Sequence, residues 1–245
     1  MKSPATDPAV GVLSARGVVK IYRHGGVRAR ALDEVDLVVK AGEFVAIAGP
    51  SAAGKSTLLR CLAGVEPFDG GTVDLEGRQL RVLSDDDRAR LRAQSMGFVF
   101  SSGNLLPGLT VVENVELPLL LGGIRARAAH KRAIESLERV GMIDRRNQRP
   151  DQMSVGEQQR AAVARAVVNL PRIVWADEPT GRLDTENAVS LMKLFCDLHD
   201  QGETIVYTTH DADVASVADR LVRMRDGRVI SDVLVRRTAP ASRTR

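Results

Sequence analysis

The segment Gly49-Pro50-Ser51-Ala52-Ala53-Gly54-Lys55-Ser56 follows the spacing G-x-x-x-x-G-K-[ST], and it constrains the fold more than any other feature of the chain. The apolar run Phe44 to Ala48 before it reads as a buried strand. Lys55 to Ala63 after it reads as a helix, with Gly64 as the C-terminal stop. In a strand, loop, helix order the loop's backbone N–H groups converge on one point, and the helix directs its positive end at the same place. Such a loop binds phosphates. Its candidate contacts are Gly49, Pro50, Ser51, Ala52, Ala53, Gly54, Lys55, Ser56 and Thr57. Lys55 is expected to reach the β and γ phosphates, and Ser56 to offer a hydroxyl to Mg²⁺, which favours oxygen ligands and retained waters.

The rest of the chain reads as an α/β fold built on that P-loop NTPase core. Strand-like runs at Ile173 to Ala176 and Thr204 to Thr208 alternate with helix-like segments, which predicts a mostly parallel sheet with crossover helices. Val35 to Val39 and Phe44 to Ala48, joined by the turn Lys40-Ala41-Gly42-Glu43, predict an N-terminal antiparallel β part. Leu221 to Val233 reads as a closing hairpin turning at Asp226-Gly227. Between these parts, Arg88 to Arg149 carries helical charge patterning broken by Gly, Pro and Asn. We expect a single domain over residues 10–235 with a helical subdomain inserted at about 88–155. Residues 1–9 and 236–245, which mix Pro, Ser, Thr and Arg without periodicity, read as flexible tails.

Composition then narrows the function classes. A chain of 245 residues with two cysteines, Cys61 and Cys196, has no disulfide framework and suits a reducing compartment. No window approaches the roughly 20 apolar residues of a membrane span, and Met1 to Ala9 lacks the apolar region of a signal peptide. A cytoplasmic protein is expected. The net charge of +4 gathers partly in Arg236, Arg237, Arg243 and Arg245 and in Arg125, Arg127, Lys131 and Arg132. With only 3% aromatic residues, none interleaved with these cations, stacking platforms for nucleic acid are missing. Solvated helix faces and a flexible tail explain the charge, with contact with an anionic membrane surface as the alternative, and no nucleic-acid partner is expected.

A second chemical signal lies downstream. Ile173-Val174-Trp175-Ala176-Asp177-Glu178 is a buried strand ending in two carboxylates. Behind a phosphate loop, Asp177 suits Mg²⁺ held through water, and Glu178 suits the base that polarises the attacking water. In order with Met153-Ser154-Val155-Gly156-Glu157-Gln158-Gln159-Arg160, Asp177 to Asp184 and Thr208-Thr209-His210-Asp211, these motifs make the sequence resemble an ABC transporter ATPase over nearly its whole length. The stretches Gly97 to Phe100, Asn104 to Pro107 and Glu113 to Leu119 look like the branch of macrolide exporters, lipoprotein-release systems and the cell-division ABC complex.

That resemblance implies an ABC ATPase fold, ATP and Mg²⁺ as ligands, and hydrolysis coupled to a separate transmembrane permease. It implies that Tyr22 stacks on adenine, that His210 contacts the γ phosphate, and that Ser154 and Gly156 cap the γ phosphate bound by a second ATPase subunit. Asp184 falls at the loop between subunits. Peripheral attachment to the inner face of the membrane follows, as does export or membrane extraction as the task. A low-turnover nucleotide switch signalling to a membrane partner is the alternative.

Two positions depart from the pattern. Ser101 stands where the family has a Gln that touches Mg²⁺ and the attacking water, a gap that serine spans only through a water. Val155 stands where the signature has Gly, a residue free to take positive φ. Each site takes Ser101 from one chain and Val155 from the other, so a homodimer carries both changes in both sites, whereas in a heterodimer with an intact homologue each site carries one. Slow but retained hydrolysis is expected.

Overall fold

The computed structural model describes residues 11–25 and 27–238. The expected tails at 1–9 and 239–245 lie outside the described residues. Arg237 and Thr238, read from the sequence as tail, are held on the body: Arg237 pairs with Asp200 at 2.8 Å, and Thr238 N–H donates to Ser216 O at 3.1 Å.

Among the described residues, two sheets organise the chain. The smaller contains β1 (Leu13–His24), β2 (Val27–Val39), β4 (Gly70–Leu75) and β5 (Arg78–Gln79), all antiparallel, in the order β2-β1-β4-β5. The larger contains β3 (Phe44–Ala48), β6 (Met96–Phe100), β7 (Ile173–Asp177), β8 (Ile205–Thr209), β9 (Arg220–Arg225) and β10 (Arg228–Leu234). Its order is β10-β9-β3-β8-β7-β6, parallel throughout except for β10. The closing hairpin is β9 and β10, and its turn residues Asp226 and Gly227 both take positive φ, 48° and 77°, as a tight hairpin demands.

The antiparallel part is present, but its pairing differs from the sequence expectation. The Lys40 to Glu43 turn carries the chain from one sheet into the other, and the partner of β2 is β1, with Leu13 opposite Val39. Irregular register between Ala15 and Ile21 breaks the alternation of β1. β3 is buried on both faces, the condition of a central parallel strand.

Side-chain alternation along the larger sheet sorts the core into two layers. Phe44, Ala46, Val174, Ala176, Ile205 and Tyr207 face one way, and pack with helices α5 (Val155–Val167) and α6 (Thr185–Asp200). Val45, Ile47, Ile173, Trp175 and Val206 face the other, against α1 (Lys55–Leu62) and the antiparallel sheet. Each fully buried aliphatic side chain of these layers contributes about 1.5–3 kcal/mol relative to exposure.

The helical part consists of α3 (Val111–Leu121), α4 (Ala126–Arg139) and the start of α5, which pack on one another. Its expected lower limit at residue 88 falls inside α2 (Asp85–Ser95), and Met96–Phe100 is core strand β6, paired with β7. The helical excursion therefore leaves the sheet after Phe100. Thr110 and Ser154 start α3 and α5 through capping boxes with Glu113 and Glu157, each satisfying orphan N–H donors.

Candidate nucleotide site at the carboxyl ends of the strands

The loop after β3 ends at Gly54, whose φ of 96° is left-handed and whose added Cβ would stand 2.5 Å from Ala31 O. Only glycine fits there. No side chain caps α1, and its first turn holds no acidic residue, so the N-terminal N–H groups stay open to an anion. Lys55 is buried, its Nζ donating to Gly49 O and Pro50 O at 2.9 Å each. The ammonium thus lies folded over the loop that it serves. This donor set fits the phosphates of a nucleotide.

Ser56, the next residue, donates its hydroxyl to Asp177 Oδ1 at 2.6 Å, across 121 residues of sequence. Serine oxygen and carboxylate at the N-terminus of a phosphate-binding helix fit Mg²⁺, which takes one or two protein oxygens and completes its shell with phosphate and water. Glu178 follows Asp177 at a φ of 44°, unusual outside glycine. Its carboxylate lies between the Lys55 ammonium and the His210 ring: Oε1 is 3.7 Å from Lys55 Nζ, and Oε2 is 3.3 Å from His210 Nδ1. Lys55, Ser56, Asp177, Glu178 and His210 are therefore one cluster at the carboxyl ends of β3, β7 and β8, the edge where α/β sheets bind ligands.

The other expected site residues are distributed around this cluster. Tyr22 lies within β1. Its Oη is 3.4 Å from Thr57 Oγ1 and Lys20 Nζ is 5.2 Å from its ring centroid, which ties the aromatic face to the end of the phosphate loop. The ring is 40% exposed, open enough for stacking, and burial of the remainder pushes the phenol above its ordinary pKa. Ser101 leaves β6 one residue beyond Phe100, which pairs with Asp177. Among the described residues, no hydrogen bond joins Ser101 to Ser56, Asp177 or Glu178.

Ser154 and Gly156 stand at the N-terminus of α5, with partners other than the phosphate loop. Ser154 Oγ accepts from Glu157 N–H at 3.2 Å, and Glu157 Oε2 accepts from Ser154 N–H at 2.9 Å. A Cβ on Gly156 would meet Asn187 Oδ1 at 2.5 Å. Asn187 is held by Asp184, which caps α6, so the loop at Asp184 and the start of α5 pack together. Val155 corrects the sequence reading. It is the first residue of α5 and is not among the residues with positive φ, so its β-branch causes no backbone strain. Its side chain is 48% exposed beside Ser154.

Several residues that hold the site together were not evident from the sequence. Thr208, buried in β8, contacts both carboxylate-bearing residues. Gln159 and Arg165 of α5 grip the segment after β6: Gln159 Nε2 donates to Phe100 O, and the Arg165 guanidinium donates to Gly103 O and Asn104 O, all at 2.7 Å. Burial lowers the Arg165 pKa. Asn114, 0% exposed, spans the turns before α3 with one accepted and three donated hydrogen bonds. A polar residue on an apolar helical face was the available signal for Asn114.

This arrangement, a phosphate loop facing a strand-end carboxylate pair and a histidine, defines a nucleotide-hydrolysing cassette. The ABC transporter family pattern matches residues 32–181. The ABC transporter ATP-binding protein YvrO of Bacillus subtilis is 42% identical over 221 residues, covering 90% of this chain and 96% of YvrO. The macrolide export ATP-binding/permease protein MacB of Chlorobaculum tepidum is 45% identical over 215 residues, 88% of this chain. This chain spans only 33% of that MacB's length. The solved dimeric structure of the ATP-binding cassette MJ0796 in a post-hydrolysis state with ADP and Pi superposes with a TM-score of 0.84 at 37% identity, covering 92% of this chain and 100% of that one. The chain belongs to the ABC transporter family and is an ATP-binding, ATP-hydrolysing subunit of it.

Proposed function

We propose that this ATPase works as a Mg²⁺-dependent dimer that closes on two ATP molecules and drives a separate membrane permease, in export or membrane extraction. The observation that carries it is the cluster of Lys55, Ser56, Asp177, Glu178 and His210 around the uncapped start of α1. In this reading the loop from Gly49 to Thr57 binds the phosphates and Tyr22 supports the adenine. Ser56 and Asp177 hold Mg²⁺, with Ser101 reaching it only through water; the ion would neutralise phosphate charge as the γ phosphate departs. Glu178 takes a proton from the attacking water, and His210, beside it, orients that water and the γ phosphate. Ser154 and Gly156 supply the helix end that caps the γ phosphate of the opposite subunit.

The working domain is residues 10–235, with the helical excursion after Phe100 facing the permease. A groove of about 430 Å³ between α2, β6, α3 and α5, lined by Phe98, Phe100, Asn104, Pro118 and Arg165, fits a permease helix. Leu121, 79% exposed, stands on the same helical part, whereas Leu119 is core. The MacB relative carries ATP-binding and permease parts in one named protein, which supports a permease partner here. Among the described residues no helix is long and apolar enough to cross a membrane, in keeping with a peripheral place on the cytoplasmic face through that permease. Because, among the described residues, no hydrogen bond joins Ser101 to the cluster, slow turnover, and in the limit a nucleotide switch, is the second reading.

The test is ATP-driven dimerisation of a Glu178→Gln variant, measured by light scattering. The expected result is a dimer with Mg²⁺-ATP and a monomer without nucleotide. A monomer under both conditions contradicts the sandwich.

A further inference from the structure

Thr208 is the eighth strand's penultimate residue and is 0% exposed. Strand β8 lies between β3, which leads into the phosphate loop, and β7, which ends in the carboxylates; Thr208 pairs with Ile47 on one side and follows Tyr207, which pairs with Ala176, on the other. A central parallel strand favours an apolar residue at such a position, and a buried hydroxyl costs free energy unless it is bonded. Here it is bonded twice. Thr208 Oγ1 donates to Asp177 Oδ1 at 2.7 Å and accepts from Glu178 N–H at 2.9 Å.

Both bonds bear on groups that need fixing. Asp177 Oδ1 takes the hydroxyls of Ser56 and Thr208 together, which sets the carboxylate's rotation and leaves Oδ2 without a protein partner among the described residues. Glu178 sits at φ 44°, a conformation that persists in a non-glycine residue only when its surroundings hold it. The bond from its N–H to Thr208 is one such restraint, and the turn bond from Gly181 N–H to Glu178 O at 3.0 Å is another.

We propose that Thr208 is a positioning residue for hydrolysis: its single buried hydroxyl locks the metal-side carboxylate of Asp177 and the backbone of the base Glu178 into one fixed relation. The proposal rests on the roles given above to Asp177 and Glu178. Misplacing a base by about an ångström costs on the order of a hundredfold in rate, so loss of the lock shows in the chemical step.

The test compares Thr208→Val, which keeps the shape and removes both bonds, with Thr208→Ser, which keeps the hydroxyl, in the full chain. Steady-state kcat and KM for Mg²⁺-ATP are measured alongside binding of a fluorescent ATP analogue across a Mg²⁺ titration, with thermal unfolding as a check on folding. Thr208→Val is expected to lower kcat at least tenfold and to raise the Mg²⁺ concentration for half-maximal nucleotide binding at least threefold. Thr208→Ser is expected to stay within twofold of the parent in both. Equal kcat and Mg²⁺ response in Thr208→Val overturns the proposal, as does a serine variant impaired as badly as the valine one, which would mark a packing role. Glu178→Gln separates the levels: parental turnover in that variant overturns both the base assignment and the lock. Turnover lost in it but kept in Thr208→Val overturns the lock alone.

Discussion

Replacing Asn114 by leucine, which has the same branched shape and number of heavy atoms and is a better helix former, removes the clamp on the turns that lead from β6 into α3. The side chain accepts from Leu106 N–H at 2.7 Å and donates to Leu106 O, Leu109 O and Thr110 O at 3.1, 3.2 and 3.0 Å. Thr110 O keeps its helical bond from the residue 114 N–H, so its loss is small. Leu106 O keeps its turn bond from Leu109 N–H, so the Leu106 N–H and the Leu109 carbonyl are the groups left without a protein partner, and one unmet donor costs about 1–3 kcal/mol. With water available at the carbonyl, the sum is about 1–3 kcal/mol, and at about 2–4 °C per kcal/mol for a chain of this size Tm falls by roughly 2–12 °C. Thermal unfolding followed by circular dichroism measures this directly, and limited proteolysis reports whether residues 101–110 open before the rest. A Tm within a degree of the parent, with the segment still protected, refutes the view that Asn114 organises it.

Other consequences are equally open to measurement. On the proposed stacking role, Tyr22→Ala removes a platform worth about 1–3 kcal/mol, so the Kd for ATP should rise by roughly 5- to 150-fold in a fluorescence titration; an unchanged Kd means that adenine rests elsewhere. The Glu157 carboxyl is held below the usual range, chiefly by the Ser154 N–H. A lowered folded pKa adds stability above the unfolded value of about 4.3, which is lost as pH falls through the folded one. In denaturant titrations, Glu157→Gln should therefore trail the parent at neutral pH by a margin that narrows below about pH 4; a margin that grows on acidification contradicts the capping account. Ser101→Gln with Val155→Gly should raise ATP turnover, and unchanged turnover would show that neither departure limits the chain.

What the sequence disclosed follows from the range of each interaction. The loop from Gly49 to Ser56 and the pair Asp177 and Glu178 were legible because their chemistry is written in adjacent residues between apolar runs. β1 was not, because its bulges and the charged residues Arg16, Lys20 and Arg23 hide its alternation, and its bonds run to β2 and β4. Met96–Phe100 passed for part of a helical region because its partner β7 lies far along the chain. Thr208, Gln159 and Arg165 act on carbonyls, amides and carboxylates 30 to 62 positions away, and no local pattern marks such reach. The strain expected at Val155 failed for a local reason: that residue begins a helix, where φ is negative.

In the proposed mechanism this cluster hydrolyses ATP with Glu178 as its base. Steady-state phosphate release from Mg²⁺-ATP by the purified chain, beside Glu178→Gln, tests it most directly. Loss of a general base typically costs 10²–10⁴-fold, so measurable turnover is expected in the parent and a fall of at least about a hundredfold in the variant, with ATP binding intact. Equal turnover in the two proteins would contradict it.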